Sequence, residues 1–93
     1  MIKISNPNID NAEIETVEKV LSERSLCGGS YTEVFESDFK KYIGVPHACC
    51  TSSGTTALMS IMKSLELPSK TKVITTCFSF IATTNAILYA DYT

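Results

Sequence analysis

The sequence predicts an α/β chain, with an incomplete parallel sheet and helices flanking it. Two observations carry that expectation. Short apolar runs at 48–51 and 72–76 each lead through a loop into an apolar helical pattern, and strands that alternate with helices build parallel sheets. The 93 residues are also 44% hydrophobic and only 19% charged, the balance of a globular chain rather than a disordered one.

Taken in order, a polar arm runs to Pro7 and Asn8. Asp10 opens a first helix, with Glu13 at capping-box spacing. Ile14, Val17, Val20 and Leu21 share one face of it. Leu26-Cys27-Gly28-Gly29 breaks the pattern, and the paired glycines permit a positive φ there. Ser30 and Glu33 repeat the box before a second helix striped by Tyr31, Val34, Phe35, Phe39 and Tyr42. Gly44 ends that helix, and Pro46 prevents its continuation. The first strand is expected from Ala48 to Thr51 and a third helix from Gly54 to about Leu67. Ser69-Lys70-Thr71 is a polar turn before the second strand, Lys72 to Thr76. A fourth helix starts near Ser79 or Phe80, turns Ile81, Ile87, Leu88 and Tyr89 inward, and ends around Ala90-Asp91. A two-stranded parallel sheet is a poor independent unit, and the last helix points toward a third strand. The chain therefore reads as one domain cut mid-fold, with no internal boundary.

Composition removes several function classes. A net charge of −2 does not suit phosphate neutralisation along nucleic acid. The most apolar run, Cys77 to Ala90, is interrupted by polar residues and too short to span a bilayer. The N-terminus lacks the apolar core of a signal peptide, so a cytoplasmic location is expected. Cys27, Cys49, Cys50 and Cys77 have no metal-ligand spacing and are expected as buried free thiols.

Ligands of open α/β sheets gather at the carboxyl ends of strands. The first such end is Ser52-Ser53-Gly54-Thr55-Thr56. Its unpaired helical N–H groups and the peptide dipoles suit an anion, with the Ser53, Thr55 and Thr56 hydroxyls as further donors. The same residues equally read as an ordinary helix cap. The second end, Cys77-Phe78-Ser79-Phe80, offers aromatic rings that read either as a stacking face or as core packing. Neither a dinucleotide fingerprint nor a P-loop is present.

In order and spacing, Leu26-Cys27-Gly28-Gly29, Phe35-Glu36, Tyr42-Ile43-Gly44-Val45-Pro46-His47-Ala48, Ser53-Gly54-Thr55-Thr56-Ala57-Leu58, Val73-Ile74-Thr75-Thr76 and Ser79-Phe80-Ile81-Ala82-Thr83-Thr84-Asn85-Ala86-Ile87 form a collinear set. The chain resembles the N-terminal part of the DegT/DnrJ/StrS family of pyridoxal-phosphate-dependent nucleotide-sugar aminotransferases. The resemblance implies that residues 1–93 are the N-terminal portion of the large domain of an aspartate-aminotransferase-like (type I) fold. It implies pyridoxal 5'-phosphate as cofactor, with Ser53, Gly54 and Thr55 around its phosphate and Phe80 stacked on its ring. Phe78 is then packing or pocket wall, and Gly29 belongs to a turn near the substrate entrance. Glu36 and His47 are structural, and Ser25 to Tyr31 approaches substrate, often across a dimer interface. A nucleotide-linked keto-sugar and an amino donor such as glutamate are the implied partners, with a homodimer as the complete enzyme. The Schiff-base lysine falls outside the resemblance, and Lys63, Lys70 and Lys72 do not stand where it would. Residues 1–93 alone are therefore expected to be inactive. The rival readings are a non-catalytic module that binds a phosphorylated ligand and a fragment that depends on a partner chain.

Overall fold

Four helices form, and side-chain capping starts two of them, the first and the third. A computed structural model of the chain describes residue 2 and residues 4–93. It contains α1 (Asn11–Ser22), α2 (Ser30–Ile43), α3 (Gly54–Ser64) and α4 (Ala82–Tyr89). Asp10 caps α1 with the predicted box: its side chain accepts from the Ala12 amide, and the Glu13 carboxylate accepts from the Asp10 amide, each at 2.8 Å. The second predicted box does not form. Gly29 is the N-cap of α2, so Ser30 is already helical and makes no side-chain cap.

The helix ends share a device that the glycine pattern did not reveal. After α1, the Ser25 and Arg24 amides donate back to the Val20 and Leu21 carbonyls, each at 3.1 Å. This is a Schellman turn, and its left-handed position is Arg24 with φ 55°. Gly28 and Gly29 do not use the left-handed conformation that glycine permits; Gly29 is extended. Glu66 after α3 and Asp91 after α4 hold the same left-handed position, with φ 48° and 64°. Gly44 closes α2 at φ 78°, as its place in the sequence predicts. The turn at Glu66 shortens α3 by about one turn against the expected end at Leu67.

The chain divides into two compact units, residues 1–48 and 49–93. In the first, no residue of α1 or α2 is buried. The predicted apolar faces exist as stripes, but Ile14, Val17, Leu21, Val34, Phe35 and Phe39 remain about half exposed. Phe35 and Phe39 stack on each other with centroids 5.8 Å apart, and Tyr31 ties the helices locally by donating to Glu23 at 3.1 Å.

The second unit has a small core. α3 packs on α4, and Ala82, Ala86, Ile87, Ala90 and Tyr92 are buried. Met62 and Val73 pack against the Ile87–Ala90–Tyr92 cluster. The inward face of α4 therefore differs from the expected one. Ile87 is inside, but Ile81, Leu88 and Tyr89 are exposed, and three alanines take their place. Small residues on that face let α3 approach closely, whereas the largest side chains of α4 face away.

Among the described residues no regular strand is present, so the expected parallel sheet is not seen. Runs 48–51 and 72–76 form no ladder. A strand is completed only when a neighbour takes its N–H and C=O groups. The nearest approach to a sheet is one parallel bridge. The Thr93 amide donates to the Thr71 carbonyl at 2.9 Å, and the Val73 amide donates to the Thr93 carbonyl at 2.7 Å.

Candidate functional site

The run at the start of α3 forms a capping box, and the box decides which groups remain for a ligand. Ser53 is the N-cap, and its hydroxyl accepts from the Thr56 amide at 3.2 Å. The Thr56 hydroxyl accepts from the Ser53 amide at 3.0 Å and donates to the Ser53 carbonyl at 2.8 Å. The Thr51 hydroxyl also donates to the Ser53 carbonyl, at 2.9 Å. Thr56 spends its hydroxyl hydrogen within the box, so it is not the ligand donor that the sequence suggested. Cap and cradle are compatible, because the cap leaves other atoms of the same turn unused. The amides of Gly54 and Thr55 lie outside the box, and among the described residues neither meets an acceptor.

Three further features keep this terminus available to an anion. α3 carries no acidic residue in its first turn, whereas α1 has Glu13 and α2 has Glu33 there. A carboxylate at that place would compete with a bound anion for the helix dipole. Beyond its chain neighbours and the backbone of its own helix, Gly54 has no protein atom within 4 Å of where a Cβ would stand, and its φ is not left-handed. Neither local packing nor backbone geometry accounts for glycine here, and its missing side chain leaves open space over the two amides. The Thr55 hydroxyl, on a half-buried residue, meets no protein partner among the described residues. Ser53, Gly54 and Thr55 therefore fit a phosphate group, as far as donors, charge and room decide.

The aromatic loop lies before α4. The Phe80 carbonyl accepts from the Thr83 amide at 3.0 Å, and the Ser79 and Thr83 hydroxyls lie 2.9 Å apart. The Thr76 hydroxyl accepts from the Phe78 amide at 3.2 Å. Both rings are open: Phe80 is 75% exposed and Phe78 is 97% exposed. Core packing, the plainer expectation for each, is not what the described residues provide. An exposed ring fits a flat heterocycle, since an offset stack contributes about 0.5–1.5 kcal/mol beyond burial.

The remaining candidates stand elsewhere. Lys63 is in the last turn of α3, at the opposite end of that helix from Gly54, roughly 13 Å along its axis. Lys70 is engaged with Asp91. None of the four cysteines forms a disulfide, as expected, but Cys27, Cys49 and Cys77 are exposed and Cys50 is only partly covered, so they are not the buried thiols predicted. Among the described residues no cluster of metal-ligand side chains occurs, and no helix is long and apolar enough to cross a membrane. The sequence reading overlooked Tyr92, the most buried aromatic of the second unit. Its place two residues past the predicted helix end was the available signal.

Comparison with known proteins places the chain in a family. Residues 7–93 match the DegT/DnrJ/EryC1/StrS aminotransferase family. The UDP-4-amino-4,6-dideoxy-N-acetyl-beta-L-altrosamine transaminase of Campylobacter jejuni is 41% identical over 90 residues, which cover 97% of this chain and 24% of the relative. The Helicobacter pylori transaminase of the same name is 33% identical over 91 residues, 96% of this chain and 24% of the relative. The GDP-perosamine synthase of Vibrio cholerae is 29% identical over 89 residues, 95% of this chain and 24% of the relative. The chain thus spans about a quarter of the length of these curated relatives. No solved structure gives a significant match. The chain belongs to the DegT/DnrJ/EryC1/StrS aminotransferase family.

Proposed function

We propose that residues 1–93 of this family member supply the cofactor-phosphate cradle and the ring-stacking face of a pyridoxal-phosphate-dependent aminotransferase acting on a nucleotide-linked keto-sugar. The observation that carries the reading is the start of α3: two amides outside the capping box, no acid in the first turn and open space at Gly54. In this reading the Gly54 and Thr55 amides and the Thr55 hydroxyl donate to the phosphate. The Ser53 hydroxyl accepts from the Thr56 amide and lies 3.1 Å from the Thr56 hydroxyl, so its part is to hold the cap beneath the phosphate. Phe80 covers one face of the pyridine ring. The bound cofactor would supply the electron sink and amine carrier for transfer from an amino-acid donor such as glutamate. The lysine that anchors it is supplied by sequence other than residues 1–93.

The sugar nucleotide is proposed from relatives whose names include both UDP- and GDP-linked products, so the nucleotide is assigned as a class only. A homodimer is the proposed assembly of the complete enzyme. The exposed apolar faces of α1 and α2 favour a segment that finishes its core against further polypeptide over one that works alone.

The test is a chimera in which residues 7–93 replace the matching quarter of the Campylobacter jejuni transaminase. It should retain cofactor and aminate a UDP-linked keto-sugar, whereas the 93-residue chain alone should show no turnover. A folded chimera that does not retain pyridoxal phosphate, or turnover by the isolated chain, would refute the assignment.

The two phenylalanines provide a second test within the chimera. Phe80→Ala should weaken cofactor binding about three- to tenfold, the loss of one stack. Phe78→Ala should change it less than twofold, within the range of an ordinary surface substitution. Equal losses at the two positions, read by absorbance titration, would remove Phe80 from its special role.

A further inference from the structure

The second unit contains an ambiguity of register that its apolar pattern does not resolve. Val73 and Ile74 are adjacent, apolar and β-branched, yet only Val73 packs on the Ile87–Ala90–Tyr92 cluster, while Ile74 is 99% exposed. A slip of one residue along an extended segment exchanges its two faces. It would bring Ile74 inward in place of Val73 at little hydrophobic cost. Something other than the apolar pattern therefore selects the register.

We propose that Ser69, Lys70 and Asp91 act as a clasp that fixes the register in which residues 70–73 pair in parallel with 91–93. Three bonds converge on Asp91. The Ser69 hydroxyl donates to one carboxylate oxygen at 2.6 Å, and the Lys70 ammonium donates to the other at 2.5 Å. The Lys70 amide donates to the Asp91 carbonyl at 2.7 Å. The next rungs follow at once, through Thr93 to Thr71 and Val73 to Thr93. Lys70 and Asp91 are both left-handed, with φ 62° and 64°, a conformation that side-chain-bearing residues adopt at a cost. The clasp thus joins two turns that are each fixed at an unusual backbone angle, and a shifted pairing would break all three bonds together. Lys70, followed by Ser69, holds the Asp91 carboxyl below the ordinary carboxylate range, which keeps it an acceptor for both. The clasp also joins the two ends of the segment that carries the Phe80 loop and α4.

Amide exchange on the full chain, followed residue by residue by NMR, tests this. The Tyr92 amide, which donates to the Ile87 carbonyl within the end of α4, is the internal reference. Asp91→Asn keeps a residue that tolerates the left-handed conformation while removing the charge. Asp91→Asn and Lys70→Met should each speed exchange at Val73 and Thr93 by about two- to fivefold relative to Tyr92, and the double variant no further. Contacts from the Ile87–Ala90–Tyr92 cluster should pass in part from the Val73 to the Ile74 methyls. Lys70→Asp combined with Asp91→Lys should return exchange toward the parent. Independent effects that multiply in the double variant, or contacts that stay wholly on Val73, would overturn the clasp. So would a parent chain with no protection at Val73 and Thr93. If the charge variants are too unstable to measure, Ser69→Ala removes one bond without changing charge. It should give a smaller change of the same sign, and an unchanged ratio there would also overturn it.

Discussion

Gly54→Asp is expected to weaken pyridoxal phosphate binding by the chimeric transaminase about a hundredfold, or roughly 3 kcal/mol, while leaving α3 intact. The two effects separate because the position is favourable for the helix and unfavourable for the ligand. Asp in the first turn of a helix interacts well with the dipole. Beyond its chain neighbours and the backbone of its own helix, a Cβ at Gly54 meets no protein atom within 4 Å, so the folded chain accommodates the side chain. The carboxylate would nonetheless lie beside the Gly54 and Thr55 amides, where the phosphate is proposed to sit. Two unit charges about 4 Å apart repel by roughly 4 kcal/mol at an effective dielectric of 20, and partial solvation reduces that figure. Gly54→Ala adds bulk without charge and should cost less than Gly54→Asp. Cofactor titration measures binding and far-UV circular dichroism reports the helix. Full affinity in a folded Gly54→Asp protein would show that the phosphate does not lie on this terminus.

The contrast between Ser53 and Thr56 explains how much of this site was legible in the sequence. A run of small hydroxyl residues before an apolar helix announces a helix start, because Ser and Thr are good caps. Which hydroxyl closes the cap depends on three-residue geometry, and the structure assigns that work to Ser53 and Thr56. Gly54 and Thr55 were left between them. The helices were similarly legible where a side chain makes the cap, as at Asp10. They were less so at their ends, where Arg24, Glu66 and Asp91 take the left-handed positions that glycine usually marks. Strands were the least legible. Their pattern at 48–51 and 72–76 states what would pair, but pairing is a property of two segments, and among the described residues the pairing is confined to Lys70, Thr71 and Val73 with Asp91 and Thr93.

The exposed faces of α1 and α2 have the same cause. Amphipathic stripes such as Ile14-Val17-Leu21 specify that something apolar will cover them, without specifying what. In the second unit the cover is present, and it is concentrated on few residues. Ala82, Ala86 and Ala90 contribute little apolar surface each, so Ile87 and Tyr92 carry most of what is buried there.

Tyr92→Ala should consequently have the largest effect on stability of any single truncation in the second unit, about 3–4 kcal/mol. Tyr92 is 3% exposed and packs with Ile87 and Ala90. Its phenolic oxygen also accepts from the Leu67 amide at 3.0 Å. That amide occupies the position after α3 from which a Schellman turn would donate back into the helix. Here Glu66 makes the first such bond, to the Lys63 carbonyl, and Tyr92 receives the second. The residue therefore combines ring packing with closure of a helix end 25 positions earlier in the sequence. Tyr92→Phe separates the two contributions. It keeps the ring and leaves the Leu67 amide without its acceptor, which should cost about 1 kcal/mol. A native domain is stable by only about 5–15 kcal/mol, so the alanine variant should lose cooperative thermal unfolding or show a midpoint many degrees lower. Calorimetry of the parent and the two variants tests the order. If Tyr92→Phe were as damaging as Tyr92→Ala, the hydrogen bond rather than the ring would hold this unit together. If neither changed the transition, the cluster around Ile87 would not be its core.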